Sequence, residues 1–91
     1  MSKITLDRER EIRYDFNAIA ELEDVSGCGV QDLMKKKQTL GATRRMLWAG
    51  LLGDDPDLTL QGAGSLITSK NLKMVSAACT EALKDFFETS S

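Results

Sequence analysis

Leu72, Val75, Cys79, Ala82, Leu83 and Phe86 recur at three- and four-residue spacing, while Lys70, Lys73, Glu81, Lys84, Asp85 and Glu88 lie off that stripe. This is the apolar face of an amphipathic helix, and it predicts one long helix over about Asn71 to Glu88. Such a stripe must be covered, and the preceding segments carry apolar residues that can cover it. One domain over residues 1–91 is therefore expected. Its core must come mainly from Leu, Ile, Val, Met and Ala, because Tyr14, Phe16, Trp48, Phe86 and Phe87 are all its aromatic residues. A composition of 42% hydrophobic and 29% charged residues argues against disorder.

The first residues follow a different period. Ile4, Leu6, Ile12 and Tyr14 alternate with polar positions, and Asp7-Arg8-Glu9-Arg10 lies between the two halves. This pattern predicts two short antiparallel strands with one buried face, over residues 3–15. A lone two-stranded ribbon is unstable in water, so it must lie against helices. A first helix should start at about Phe16, with Asp15 or Asn17 as N-cap. Its inward residues are Phe16, Ile19, Ala20, Leu22 and Val25, with Glu21, Glu23 and Asp24 in water. Gly27-Cys28-Gly29 ends it, since glycine permits the left-handed cap. A short second helix is expected from Val30 to Lys37, its lysines at the negative end of the dipole.

The third helix, about Leu40 to Leu52, has no charge between residues 46 and 52. Such a helix is either central to the core or half-exposed for a partner. Gly50 within it costs about 1 kcal/mol relative to alanine, a cost best understood if another helix crosses closely there. Asp54-Asp55-Pro56-Asp57 stops it, and Thr59 is a suitable N-cap for a fourth helix, Leu60 to Ile67. Gly62 and Gly64 make that helix dependent on tertiary contacts. The expected fold is mainly α (α+β): an N-terminal hairpin packed on about five helices spanning 16–88, the last one long.

Reactive chemistry finds little support. With no histidine, the usual serine or cysteine triads and His-containing metal sites are excluded. Asp55-x-Asp57-x-Thr59 fails as a calcium loop, because Leu60 replaces the turn glycine and Leu66 the bidentate glutamate. Gly27-x-Gly29 and Gly62-x-Gly64 do not complete a phosphate or dinucleotide loop. Cys79 lies on the apolar stripe of the last helix, and nothing near Cys28 would activate it. No catalytic, cofactor-binding or metal-binding residue is assigned, and no enzyme is expected. The first residues lack an apolar signal region, and no apolar run approaches the roughly 20 residues of a membrane span. The net charge of −2 argues against nucleic acid. Arg44-Arg45 could open a DNA-reading helix, but the helix turns wholly apolar after Arg45. Charge is also divided along the chain. Residues 1–24 hold seven acids against four bases, whereas residues 35–45 carry Lys35, Lys36, Lys37, Arg44 and Arg45 with no acid.

The segments ITLD…R.IRYDFNAIAELEDVSG, RRMLWAGLL, DPDLTLQGAGSLI and NLKMVSAACTEALKDFF, in that order, resemble the small tail-assembly chaperones of long-tailed bacteriophages and gene transfer agents. The resemblance spans about residues 3 to 87, and its specificity lies in the set and its order. The glycines near Gln61-Gly62 depart from the helix formers usual there. The resemblance implies a non-enzymatic role: binding the helical tape-measure protein, keeping it soluble, and giving way as tail tube protein polymerises. It also implies self-association as a homo-oligomer, residence in the cytoplasm of the bacterial host, and absence from the mature virion. A client of that kind needs adaptable apolar surface. Met34, Met46, Trp48, Leu51, Leu52, Met74 and Phe87 cannot all fit one small core, so they are the expected partner-binding residues, with burial in the monomer or in a homodimer the alternative for each. Two other readings stay open: a small structural component of the tail or connector, and a DNA-binding regulator.

Overall fold

The computed structural model describes residues 2–35 and 39–90. They form two strands, β1 (Ser2–Thr5) and β2 (Glu9–Ile12), and five helices: α1 (Phe16–Ser26), α2 (Val30–Lys35), α3 (Leu40–Leu51), α4 (Leu60–Ser65) and α5 (Leu72–Ser90). The expected hairpin on five helices, with the last one long, is the fold observed. The end of α2 expected at Lys36 and Lys37 lies outside the described residues.

Helix α3 is the hub. It packs against α1, α4, α5 and β2, while β1 and β2 also touch α5. The uncharged run of residues 46–52 is thus central to the core, and Met46, Leu47, Ala49 and Leu51 are all buried. They meet Leu22 of α1 and Val75, Cys79 and Leu83 of α5 in one cluster. Full burial of a side chain such as Leu47 stabilises the fold by roughly 1.5–3 kcal/mol.

Local chemistry sets most helix limits as the sequence predicts. The Asp15 carboxylate accepts the Ala18 N–H at 2.8 Å, which makes Asp15 the N-cap of α1. Thr59 accepts the Gly62 N–H at 2.9 Å and starts α4. Gly27, at φ 72°, closes α1 by donating its N–H to the Glu23 carbonyl. Glu23 is not simply a solvent-facing acid: its carboxylate accepts the Val30 N–H at 2.8 Å and caps the start of α2.

Three expectations need correction. The second strand is Glu9–Ile12, not a segment running through Tyr14. Register pairs Ile4 with Arg10 and Ser2 with Ile12, so Glu9 and Arg10 belong to the strand rather than to the turn. Beyond Ile12 the chain leaves the ladder, because the Arg13 N–H donates to the Gly50 carbonyl of α3 at 2.9 Å. That contact also corrects the reading of Gly50. The nearest neighbours are Ile12 and Tyr14 rather than a helix, and a Cβ at Gly50 would stand 2.8 Å from Ile12 Cγ2. In α1, finally, Ala18, Ile19 and Leu22 face the core, whereas Phe16, Ala20 and Val25 are exposed. The inward stripe begins after Phe16, whose ring instead meets Phe86 edge-on at 5.4 Å.

The loop after α3 is tied down by charge. Arg10 is buried on the hairpin's inner face and makes a bidentate pair with Asp7, at 2.8 and 2.9 Å. Its remaining guanidinium nitrogen lies 3.6 Å from Asp55, and Arg8 lies 3.4 Å from Asp54. The acids that stop α3 therefore also bind the hairpin to it. Trp48 completes the attachment by donating its indole N–H to the Leu58 carbonyl at 2.8 Å.

Candidate interaction surface

The seven residues expected to meet a partner do not form one surface. Met46 and Leu51 are sealed in the core, and that expectation is corrected for both. Neighbouring elements cover α3 at both positions, so no partner reaches them without unfolding. Trp48 is half-buried, with its indole committed to the loop. Leu52 lines a separate small cleft with Arg13, Asp15 and Glu21. Met74 is 48% exposed, on the opposite side of α5 from Leu72, since residues two apart do not share a helix face. Phe87 is half-buried and stacks edge-on with Phe86 at 5.3 Å. The side chain of Met34 lies outside the described residues.

A continuous apolar surface exists elsewhere, and the α3 stripe explains it. Leu40, Leu47 and Leu51 are spaced so that they share one helical face, with Arg44 between the first two. Leu47 and Leu51 are fully buried, yet Leu40 is 68% exposed. The core stripe thus runs out of cover at the start of α3. Helix α5 repeats this, with Val75 and Cys79 buried and Leu72, at its beginning, only half-buried.

Between these uncovered ends lies a groove of about 710 Å³ lined by Leu40, Gly41, Arg44, Gly64, Ile67 and Leu72. A second depression of about 420 Å³ continues it past Leu40 and Leu72 toward Thr43, Lys73 and Ala77. Gly64 keeps the floor open, because a Cβ there would come within 2.9 Å of the Arg44 Cδ. Helix α4 ends at Ser65, short of the expected Ile67, which leaves Ile67 in the bend that walls the groove.

The polar groups lining the groove are mostly occupied. The Thr43 hydroxyl donates to the Thr39 carbonyl and the Ser65 hydroxyl to the Gln61 carbonyl, both at 3.1 Å. The Thr68 hydroxyl accepts the Asn71 N–H at 3.2 Å. Among the described residues, Arg44 and Lys73 are the charged members of the lining, and no acid accompanies them.

Burial pushes the Cys79 thiol up to about 12 and the Tyr14 hydroxyl well above its usual value, so both stay protonated at neutral pH. The Tyr14 hydroxyl donates to the Met46 carbonyl, a structural bond inside the core. Among the described residues, no group of three or more Cys, Asp or Glu side chains could hold a metal ion. Nor is any described helix long and apolar enough to cross a membrane. No family model, curated protein or solved structure matches the chain.

Proposed function

We propose that this protein is a non-enzymatic tail-assembly chaperone of a long-tailed bacteriophage or gene transfer agent. In this reading it acts in the host cytoplasm, holds the tape-measure protein before tail tube protein polymerises around it, and is left out of the virion. The single observation that carries the reading is the unfinished end of the core. Leu40 stands 68% exposed at the head of a stripe whose other leucines are fully buried. An amphipathic helix laid along Leu40, Ile67 and Leu72 would complete that core, the helix-in-groove mode of recognition. Release suits the same surface, since a shallow groove offers many modest contacts rather than one deep anchor. Self-association belongs to the same reading, and the exposed Phe16 ring against Phe86 provides apolar surface for it away from the groove.

Co-expression with the tape-measure protein of the same tail locus, followed by a pull-down, tests the reading. The client should co-purify with the native chain and be lost with Leu40→Ser. A client that never co-purifies, or that Leu40→Ser retains in full, counts against it. Mass spectrometry of purified particles separates the rival role: a structural tail component would be found there in fixed copy number, a chaperone would be missing.

A further inference from the structure

The groove between the starts of α3 and α5 carries information about the sequence of its occupant, a point that rests on the reading of that groove as a docking site. The lining hydroxyls of Thr43, Ser65 and Thr68 already have partners within the chain. What remains for a ligand is the apolar surface of Leu40, Ile67 and Leu72, the polar side chains of Gln61 and Ser69, and one cation on α3 and one on α5. Arg44 and Lys73 are both exposed, and neither is held in an ion pair among the described residues. The Arg44 stem lies against Gly64, so its guanidinium sits at the groove without a side chain beneath it to displace it.

We infer that the groove takes an amphipathic helix whose apolar stripe is flanked by Glu and Asp, and that it rejects the same helix flanked by Lys and Arg. An occupant seated on the leucines would partly desolvate both cations. Acidic flanks then gain two charge pairs, while basic flanks meet like charge in a partly dry setting. Nucleic acid fits less well, because three aliphatic side chains would face a phosphate backbone. A second copy of the chain is the remaining rival, since α1 also carries exposed acids in Glu21 and Asp24.

The test uses the full chain and two fluorescent synthetic helical peptides with one identical leucine stripe, one flanked by Glu and the other by Lys. In anisotropy titrations at low salt the Glu peptide should bind at least about tenfold tighter than the Lys peptide, and the gap should narrow as salt rises. Arg44→Glu/Lys73→Glu should reverse the preference, and Leu40→Ser should weaken both peptides. Because Arg44 and Lys73 are exposed and make no ion pair among the described residues, the double variant should melt at the native temperature, which separates recognition from folding. Equal binding of the two peptides, or an unchanged preference in the double variant, overturns the inference. So does light scattering that shows Leu40→Ser dissociating an oligomer, for a second copy would then fill the groove. The two claims fail separately. A tape-measure pull-down that survives charge reversal defeats the acidic-helix rule alone, whereas Glu-peptide binding with no pull-down defeats the chaperone reading alone.

Discussion

The two ends of α3 present the same kind of surface and meet opposite fates. At its C-terminal end Gly50 lies so close to the hairpin that a Cβ would meet Ile12 at 2.8 Å and Tyr14 at 3.0 Å, and Leu51 is wholly buried. At its N-terminal end Gly41 and Leu40 border an open groove, and the nearby Gly64 faces the stem of Arg44. One end is closed because β2 and the charged loop are fastened over it. The other is left open because α4 stops at Ser65 and α5 starts only at Leu72. The difference shows that an apolar stripe on a helix does not by itself say which part is covered; what lies across from it does.

The sharpest way to break this comparison is to charge the closed side. Leu47→Asp would place an unpaired carboxylate where side-chain exposure is 0%, a cost of several kcal/mol that a chain of this size does not survive. No cooperative melting transition is expected by circular dichroism; a soluble variant that melts sharply would show that Leu47 is not core. Gly50→Ala comes next. Overpacking against Ile12 and Tyr14 outweighs the gain in helix propensity, for a net loss of about 2 kcal/mol and a melting temperature lower by roughly 10 °C. The matching change on the open side, Gly64→Ala, should cost nothing or gain up to about 0.5 kcal/mol, because Arg44 can swing away. Equal losses at the two glycines would erase the distinction between the ends.

Trp48 and Leu40 sharpen it further. Trp48→Phe removes the donor to the Leu58 carbonyl and should lower stability by about 1 kcal/mol while leaving partner binding intact. Leu40→Ser should do the reverse, with a stability change within about 0.5 kcal/mol and binding lost. Urea titrations alongside pull-downs read both. A Trp48→Phe variant that folds normally but fails to bind would return the indole to the partner surface.

Much of the fold was legible because its determinants are local. The caps Asp15 and Thr59, the left-handed Gly27 and the stripe on α5 each depend on a few neighbouring residues. What escaped depends on residues far apart in the chain. Alternation placed Arg10 on the same face as Ile12 and Tyr14, a signal that it turns inward, but its partner Asp55 lies beyond α3. The same holds for the candidate surface. The spacing of Leu40, Arg44, Leu47 and Leu51 shows the stripe, yet which part is covered depends on where α4 ends and how the bend through Ile67 runs. Counting surplus apolar residues pointed to Met46 and Leu51, which α3's central position had already buried.

The smallest expected effect concerns how the hairpin is fastened. The hydrogen bonds from the Arg10 guanidinium hold the Asp7 carboxyl at about 2, below its usual 3.8. A carboxylate whose folded value is depressed contributes stability that is fully present above the unfolded value. That contribution fades as pH falls from just under 4 and is gone once pH passes below about 2. Other carboxylates titrate in the same window, so the informative quantity is the stability difference between the native chain and Asp7→Asn, taken from denaturant titrations at each pH. Above pH 5 the native chain should be the more stable. The difference should shrink steadily between pH 4 and pH 2, because protonated Asp7 leaves the buried Arg10 with only the longer 3.6 Å approach to Asp55. A difference that stays flat over that range would mean the Asp7–Arg10 pair does not hold the hairpin over the closed end of α3, and that packing of Ile12 and Tyr14 on Gly50 closes it unaided.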